Sequence, residues 1–313
     1  MPYGHATRFA GLPVVEVPKS GAQPPLDPTV AWRFAYNKYD GGMAYGPLAE
    51  YEAAFDTFLT AAGAELTALV VGPWGYAAFN DAPIAQLCAA APRLPNLRAL
   101  FLGDMTSEEC EISWMRVGDV SPLLMAYPRL EVLRVRGGDL DFTPVRHDHL
   151  RELTVETGGL AGEMVGAVLA SELPALTDLE LWLGIDDYGG TTTLDDLAPL
   201  LAGGLFPRLR RLGLCNAEHA DDIARALASA PLVPRLESLD LSLGTLGDEG
   251  AAALLAGQPL THLDRLDLAH HYLSEEMAQR LEEALPDVLV DLSDPQEDDE
   301  DDGETYRYTA VGE

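Results

Sequence analysis

The chain has 313 residues, of which 47% are hydrophobic and 23% charged, and a formal net charge of −31. So negative a surface disfavours nucleic acid and anionic membrane as partners, since both require a cationic face. No stretch approaches the roughly 20 consecutive apolar residues of a membrane helix.

In chain order, the N-terminal residues lack a basic start followed by an apolar run, so no signal peptide is visible. The first 28 are proline-rich and are expected to wrap around a cap. VAWRFAY (30–36) alternates Val30, Trp32, Phe34 and Tyr36, the period of a strand with one buried face. PLAEYEAAFDTFLTAAG (47–63) places Leu48, Tyr51, Phe55, Phe58 and Leu59 at helical spacing. Residues 1–63 therefore read as an N-terminal α/β cap.

From residue 64 one pattern recurs, L-x-x-L-x-L with Val allowed last. It appears as LTALVV (66–71), LRALFL (97–102), LEVLRV (130–135), LRELTV (150–155), LTDLEL (176–181), LRRLGL (209–214), LESLDL (236–241) and LDRLDL (263–268). LPDVLV (285–290) reads as a degenerate ninth copy. Each copy predicts a short strand. Helix-like segments such as 82–91, 163–171, 221–229, 248–257 and 274–285 lie between them, and prolines close most of them. Alternating strand and helix at this period predicts parallel strands with right-handed crossovers. The fold class is therefore α/β, a leucine-rich-repeat solenoid over 64–292 with strands on a concave face and helices on the convex face. Residues 293–313 include the acidic run Glu297–Asp302 and read as a disordered acidic tail.

The strand pattern leaves three columns of side chains facing the concave side. They run Ala99, Val132, Glu152, Asp178, Arg211, Ser238, Arg265; then Phe101, Arg134, Thr154, Glu180, Gly213, Asp240, Asp267; then Gly103, Arg136, Glu156, Trp182, Cys215, Ser242, Ala269. An exposed tryptophan beside arginine has the composition of a binding hot spot. The partner-binding candidates are Phe101, Arg134, Arg136, Glu156, Glu180, Trp182, Arg211, Asp240 and Asp267. Asp240 and Asp267 adjoin with no positive charge between them in their column, which suits a basic segment of another protein.

Several motifs invite chemistry and are outweighed by structural readings. The loop GDMTSEECEISWM (103–115) gathers Asp104, Glu108, Glu109, Cys110 and Glu111, a possible metal or catalytic cluster. Loops after strand ends are commonly acidic because they are solvated, and Ile112, Trp114 and Met115 are expected to tuck this one against the body. HDH (147–149) reads as a turn. GIDDYGG (184–190) has turn chemistry, with Asp187 and Tyr188 at the rim of the Trp182 patch. GGLAGEMVG (158–166) lacks the GK[ST] of a phosphate loop. In LDLAHHYLSEEM (266–277), His271 stands at a turn position, Ser274 reads as a helix N-cap, and Glu275 and Glu276 fall in the first turn. His270 is left without a structural duty. The cysteines Cys88, Cys110 and Cys215 are widely spaced, which fits free thiols in a reducing cytosol.

The tails GDEGAAALL and LSEEMAQRL look like ribonuclease-inhibitor-type leucine-rich repeats. The chain as a whole resembles a family of uncharacterised cytosolic leucine-rich-repeat proteins from actinobacteria, through FAGLPV (9–14), AWRF (31–34), LFLGD (100–104), CEISWM (110–115), VRGG (135–138), LELWLG (179–184), LDLSLG (239–244) and LDLAHHYLSEE (266–276). The resemblance implies a peptide or enzyme partner and brings no activity with it. The sequence departs from the usual motif where an asparagine ladder would bond the turns. Those places hold Trp74, Met105, Gly138, Gly158, Gly184, Ala217, Gly244 and His271. Four glycines there suit sharp turns with unusual φ, with water or main-chain bonds replacing the ladder.

The expectation is a cytoplasmic, non-catalytic scaffold that binds a protein or peptide, with no cofactor, metal, nucleic acid or membrane. Two alternatives are a metalloprotein or enzyme using the loop 103–115, and a structural subunit of an assembly.

Overall fold

The structure is a computed structural model that describes residues 4–18, 26–36, 48–301 and 304–312. Parts of the expected cap (1–3, 19–25, 37–47) and of the tail (302–303, 313) lie outside the described residues. The chain forms a mixed α/β structure built on one long, mostly parallel sheet.

The strands are β1 (Arg8–Phe9), β2 (Leu12–Glu16), β3 (Ala31–Phe34), β4 (Ala68–Val71), β5 (Ala99–Leu102), β6 (Arg116–Asp119), β7 (Val132–Arg136), β8 (Gly138–Asp141), β9 (Glu152–Glu156), β10 (Asp178–Gly184), β11 (Arg211–Ala217), β12 (Ser238–Asp240), β13 (Arg265–Asp267), β14 (Leu289–Asp291), β15 (Asp299–Asp301) and β16 (Glu304–Tyr306). Twelve of them make the main sheet in the order β1-β2-β3-β4-β5-β7-β9-β10-β11-β12-β13-β14. Within this sheet, among the described residues, only the β1–β2 pair is antiparallel. Thus each strand lies beside the previous main-sheet strand in the chain, as the repeat requires. Helices α1 (Leu48–Ala62), α2 (Ile84–Ala90), α3 (Ser121–Ala126), α4 (Gly162–Leu169), α5 (Leu194–Leu201), α6 (Ala220–Leu227), α7 (Asp248–Ala256) and α8 (Glu275–Ala284) fall between strands.

The period-2 pattern decides which side chains meet the helices. Leu100, Leu133, Leu153, Leu179, Leu212, Leu239 and Leu266 are all buried in one apolar core, which runs without a break from Trp32 to Val288. Every residue of that leucine row is in register with the next across the sheet. Stacking gives each unit a neighbour that covers the apolar edge it could not bury alone. The expected cap continues the same sheet, because β3 pairs with β2 and β4. Phe34 packs against Tyr51, Phe55 and Phe58 of α1.

Three local expectations change. The ninth repeat is displaced by two residues: Leu266 pairs with Val290, not with Val288. The shift preserves the buried face because strand side chains alternate with period two. A small parallel sheet joins β6 of the long second unit to β8 of the third; Ile112 and Met115 tuck in as expected, whereas Trp114 is exposed. The glycines at the turns serve close approach more than unusual φ. Only Gly184 of the four has positive φ (70°). A Cβ on Gly138 would strike the Ser113 carbonyl, and one on Gly244 the Ala217 carbonyl. Main-chain bonds stand in for the asparagine ladder: Ile185 N donates to Gly158 O (2.9 Å) and Thr245 N to Ala217 O (3.1 Å).

The tail is also corrected. β15 and β16 pair as a hairpin, and residues 307–312 lie on the body. Arg307 counters the acidic run by binding Asp298 (2.6 Å) and standing 5.3 Å over the Tyr272 ring. Val311, only 2% exposed, supplies apolar burial that the run itself lacks.

Candidate functional site

The sheet face opposite the helices carries the expected columns; the Cα partners match the first two residue for residue and, in the third, join Arg136 to Glu156 and Trp182 to Cys215. Phe101 pairs with Arg134, then Thr154, Glu180, Gly213, Asp240 and Asp267 across successive strands. The structure therefore brings the sequence candidates onto one surface. It does not leave them all open to a partner.

At one end, the N-terminal segment lies over the face. Phe9 packs on Phe101 with the rings tilted and their centroids 5.8 Å apart, and both rings are buried. Arg134 and Arg136 stand over the same Phe101 ring at 4.6 and 5.3 Å. Arg136 is 2% exposed; its Nε donates to Glu156 (2.5 Å) and its Nη1 to the Met105 carbonyl (3.0 Å). Glu156 is wholly buried between Arg136 and Arg134. Phe101, Arg136 and Glu156 are thus interior residues. The sequence missed this because residues 4–12 are far away in the chain. Nearby, Asp104 is also buried, held by Arg33 (2.5 Å), by the Ala6 amide (2.9 Å) and by His5. These partners hold its carboxyl below the usual range against the opposing effect of burial. In the loop 103–115, Arg33 therefore already supplies the positive charge that Asp104 needs.

At the other end, the segment 308–312 crosses the carboxyl ends of the strands. Trp182 is 5% exposed, packed with Ile112, Cys215 and Val311, and its Nε1 donates to Glu180 (2.8 Å). The expected exposed hot spot at Trp182 is covered by the chain itself. Asn216, which the sequence reading passed over, binds both main-chain groups of Val311. The available signal was an asparagine next to the expected turn position 217, since asparagine tolerates the left-handed backbone that Asn216 adopts (φ 53°). His270 acquires a duty here, reaching Asp294 and the Tyr308 carbonyl, each at 3.2 Å.

Asp240 and Asp267 are half-buried and already engaged. Each accepts a hydrogen bond from the amide two residues on, Ser242 (2.9 Å) and Ala269 (3.1 Å), which tightens the strand end. Arg265 from the neighbouring column reaches Asp267 and Asp291, both at 2.7 Å. The acidic end is therefore partly neutralised, contrary to expectation.

Between the two covered ends an open strip remains. Glu152, Thr154, Asp178, Glu180, Arg211, Ser238 and Asp240 surround a depression of about 230 Å³ whose floor includes Gly213. Arg211 pairs with Asp178 and is half exposed; Arg134 is a third exposed at its edge. Burial, then the neighbouring Glu156 charge, raises the Glu180 carboxyl to about 7, against the Trp182 hydrogen bond. Burial raises Asp240 as well, and raises Glu152, in that case with help from Asp178. Within the strip Arg211 takes Asp178, which leaves Glu152, Glu180 and Asp240 without a direct ion pair among the described residues. Among the described residues, no group of three or more His, Cys, Asp and Glu side chains is arranged to hold a metal ion.

The histidines take the turn roles read from the sequence. His147 is buried; its Nδ1 accepts from the Leu150 amide (2.9 Å) and its Nε2 meets the Tyr127 carbonyl (3.1 Å). His271 does the same with the Leu273 amide and the Leu292 carbonyl. Ser274 caps α8 by accepting from Met277 N (3.2 Å).

These features define an α/β protein with a long parallel sheet and one face partly covered by its own terminal segments. No protein-family model and no curated protein matches the chain. It is similar to a Bacteroides fragilis protein whose crystal structure was solved by the Northeast Structural Genomics Consortium, with a TM-score of 0.70 and 33% identity, over 75% of this chain and 67% of that one. The chain belongs to the same family as that protein.

Proposed function

We propose that the protein is a leucine-rich-repeat solenoid that binds a protein or peptide on its concave face and performs no catalysis. The observation carrying this reading is the open strip around Gly213. There the missing side chain leaves a depression beside Glu180 and Asp240, two half-buried carboxyls whose acidity burial has weakened. An arginine or lysine from a partner would relieve that cost and form charge-assisted hydrogen bonds. The strands present this surface preformed, so little conformational entropy is lost on binding. Glu180, Asp240, Arg211 and Arg134 are the residues assigned to contact; Phe101, Arg136, Glu156 and Trp182 support them from below or beside. The net charge of −31 adds long-range attraction for a basic partner. No helix of the described residues is long and apolar enough to cross a membrane. The free thiols Cys88, Cys110 and Cys215 suit a reducing cytosol.

The test is affinity capture from the native host with the wild-type chain and with the double variant Glu180→Gln, Asp240→Asn, followed by cross-linking to locate the contact. Both replacements remove the charge and keep one carbonyl oxygen to accept from Trp182 Nε1 and from the Ser242 amide. A captured protein should cross-link through a basic segment at the strip and be lost from the variant. Retention of every captured protein by a folded variant would remove the strip as the binding surface.

A further inference from the structure

The segment 308–312 lies in a track that reads main chain more than side chain. The Tyr308 amide donates to Tyr272 Oη (2.8 Å), and the same hydroxyl donates to the Tyr308 carbonyl (3.0 Å). Two residues on, the Ala310 amide donates to the Leu243 carbonyl (2.8 Å). Asn216 then grips Val311 from both sides, its Oδ1 accepting from the amide (3.0 Å) and its Nδ2 donating to the carbonyl (2.5 Å). Ser113 Oγ donates to the Gly312 carbonyl (2.7 Å). These contacts come from separate units of the sheet and follow one extended peptide across their carboxyl ends.

Only one side chain of the segment is deeply enclosed. Val311 fills a socket formed by Ile112, Trp182 and Cys215, while Tyr308 is 58% exposed. A glycine at position 158 keeps the track clear, because a Cβ there would meet Ser113 Oγ and the Gly312 carbonyl. A Cβ on Gly312 would make ordinary contacts with Tyr188 and Ile185, so alanine fits there too. The segment is reached through the acidic residues 297–301, which must lie beside a body that is itself strongly negative. Like-charge repulsion therefore opposes its seating.

We propose that this track is a peptide-binding site, distinct from the open strip, and that 308–312 is a resident occupant that a peptide of another chain displaces. The main-chain bonds accept any extended peptide. The socket selects the pattern small residue, branched aliphatic, then glycine or alanine, as in Ala310-Val311-Gly312. The tether gives the resident segment a high effective concentration, so an external peptide competes poorly until the segment is released. This inference stands even if the strip binds nothing, because Glu180, Asp240, Arg211 and Arg134 take no part in it, only Trp182 borders both, and the probe is different.

The probe is a fluorescein-labelled, amidated TYRYTAVG peptide, residues 305–312, titrated by anisotropy against full-length protein. Val311→Asp in the protein should release the resident segment and strengthen peptide binding at least tenfold over wild type. Adding Asn216→Asp, which tolerates the same backbone and loses the Nδ2 donor, should weaken it at least tenfold. An unlabelled peptide with Asp in place of the valine should fail to compete. The proposal is overturned if Val311→Asp binds no more tightly than wild type, or if Asn216→Asp changes nothing. It is equally overturned if Val311→Asp abolishes cooperative melting, because the segment would then belong to the core.

Discussion

Replacing Glu180 by glutamine should stabilise the protein at alkaline pH and leave it nearly unchanged in acid. The Glu180 carboxyl is raised from 4.5 to about 7 by burial first, then by the Glu156 and Asp240 charges. In the unfolded chain it ionises near its ordinary value. Between the two values the folded state keeps a proton that the unfolded state has released, so stability falls as pH rises from about 4.5 to about 7. At ~1.4 kcal/mol for each tenfold change in acidity, the loss is at most about 3 kcal/mol. Glutamine removes the charge and retains an oxygen for the Trp182 Nε1–H, now 2.8 Å from Glu180 Oε1. Glu180→Gln should therefore exceed wild type by about 1–3 kcal/mol at pH 8, with the difference shrinking to below about 1 kcal/mol at pH 5 and vanishing under about pH 4.5. Denaturant melts of both proteins at pH 5, 6, 7 and 8 measure it. A difference that is constant with pH, or that grows toward acid, would refute the reasoning.

Other outcomes follow from the same structure. Arg136→Glu should destabilise by about 3–5 kcal/mol in thermal or denaturant melts, since it sets two carboxylates in the buried space now shared with Glu156. Gly158→Ala should loosen residues 308–312, seen as faster amide exchange at Val311, while α8 and the leucine core keep their protection. Burial lowers the basicity of His147, which is held neutral in its turn. Stability from this residue is present above pH 6.5 and declines below it as the unfolded histidine takes up protons first. His147→Asn should flatten that part of the stability profile.

The covered and open parts of the candidate surface differ in how they were encoded. The spacing of Leu100, Leu133, Leu153, Leu179, Leu212, Leu239 and Leu266 specifies which side chains face the helices, and period-two alternation then assigns Phe101, Arg134, Glu180 and Asp240 to the other face. Local chemistry likewise marks Ser274 as a cap and His271 as a turn residue. All of this depends on near neighbours in sequence and on a repeat that stacks one unit on the next.

The repeat by itself determined the register of the strands as far as β13, the α/β class and the members of each column. Only the tertiary structure decided which of those members meet solvent. Phe9 covers Phe101 across 92 residues of chain, and Val311 covers Trp182 across 129. Such closures join segments outside the repeat to surfaces inside it, and no periodicity connects the two. Arg136 shows the consequence. Its column predicted a contact for a partner, while the Met105 carbonyl, Glu156 and the Phe101 ring enclose its guanidinium within the fold. A charged side chain on a strand faces one side or the other by pattern, but its exposure depends on what the rest of the chain lays over it.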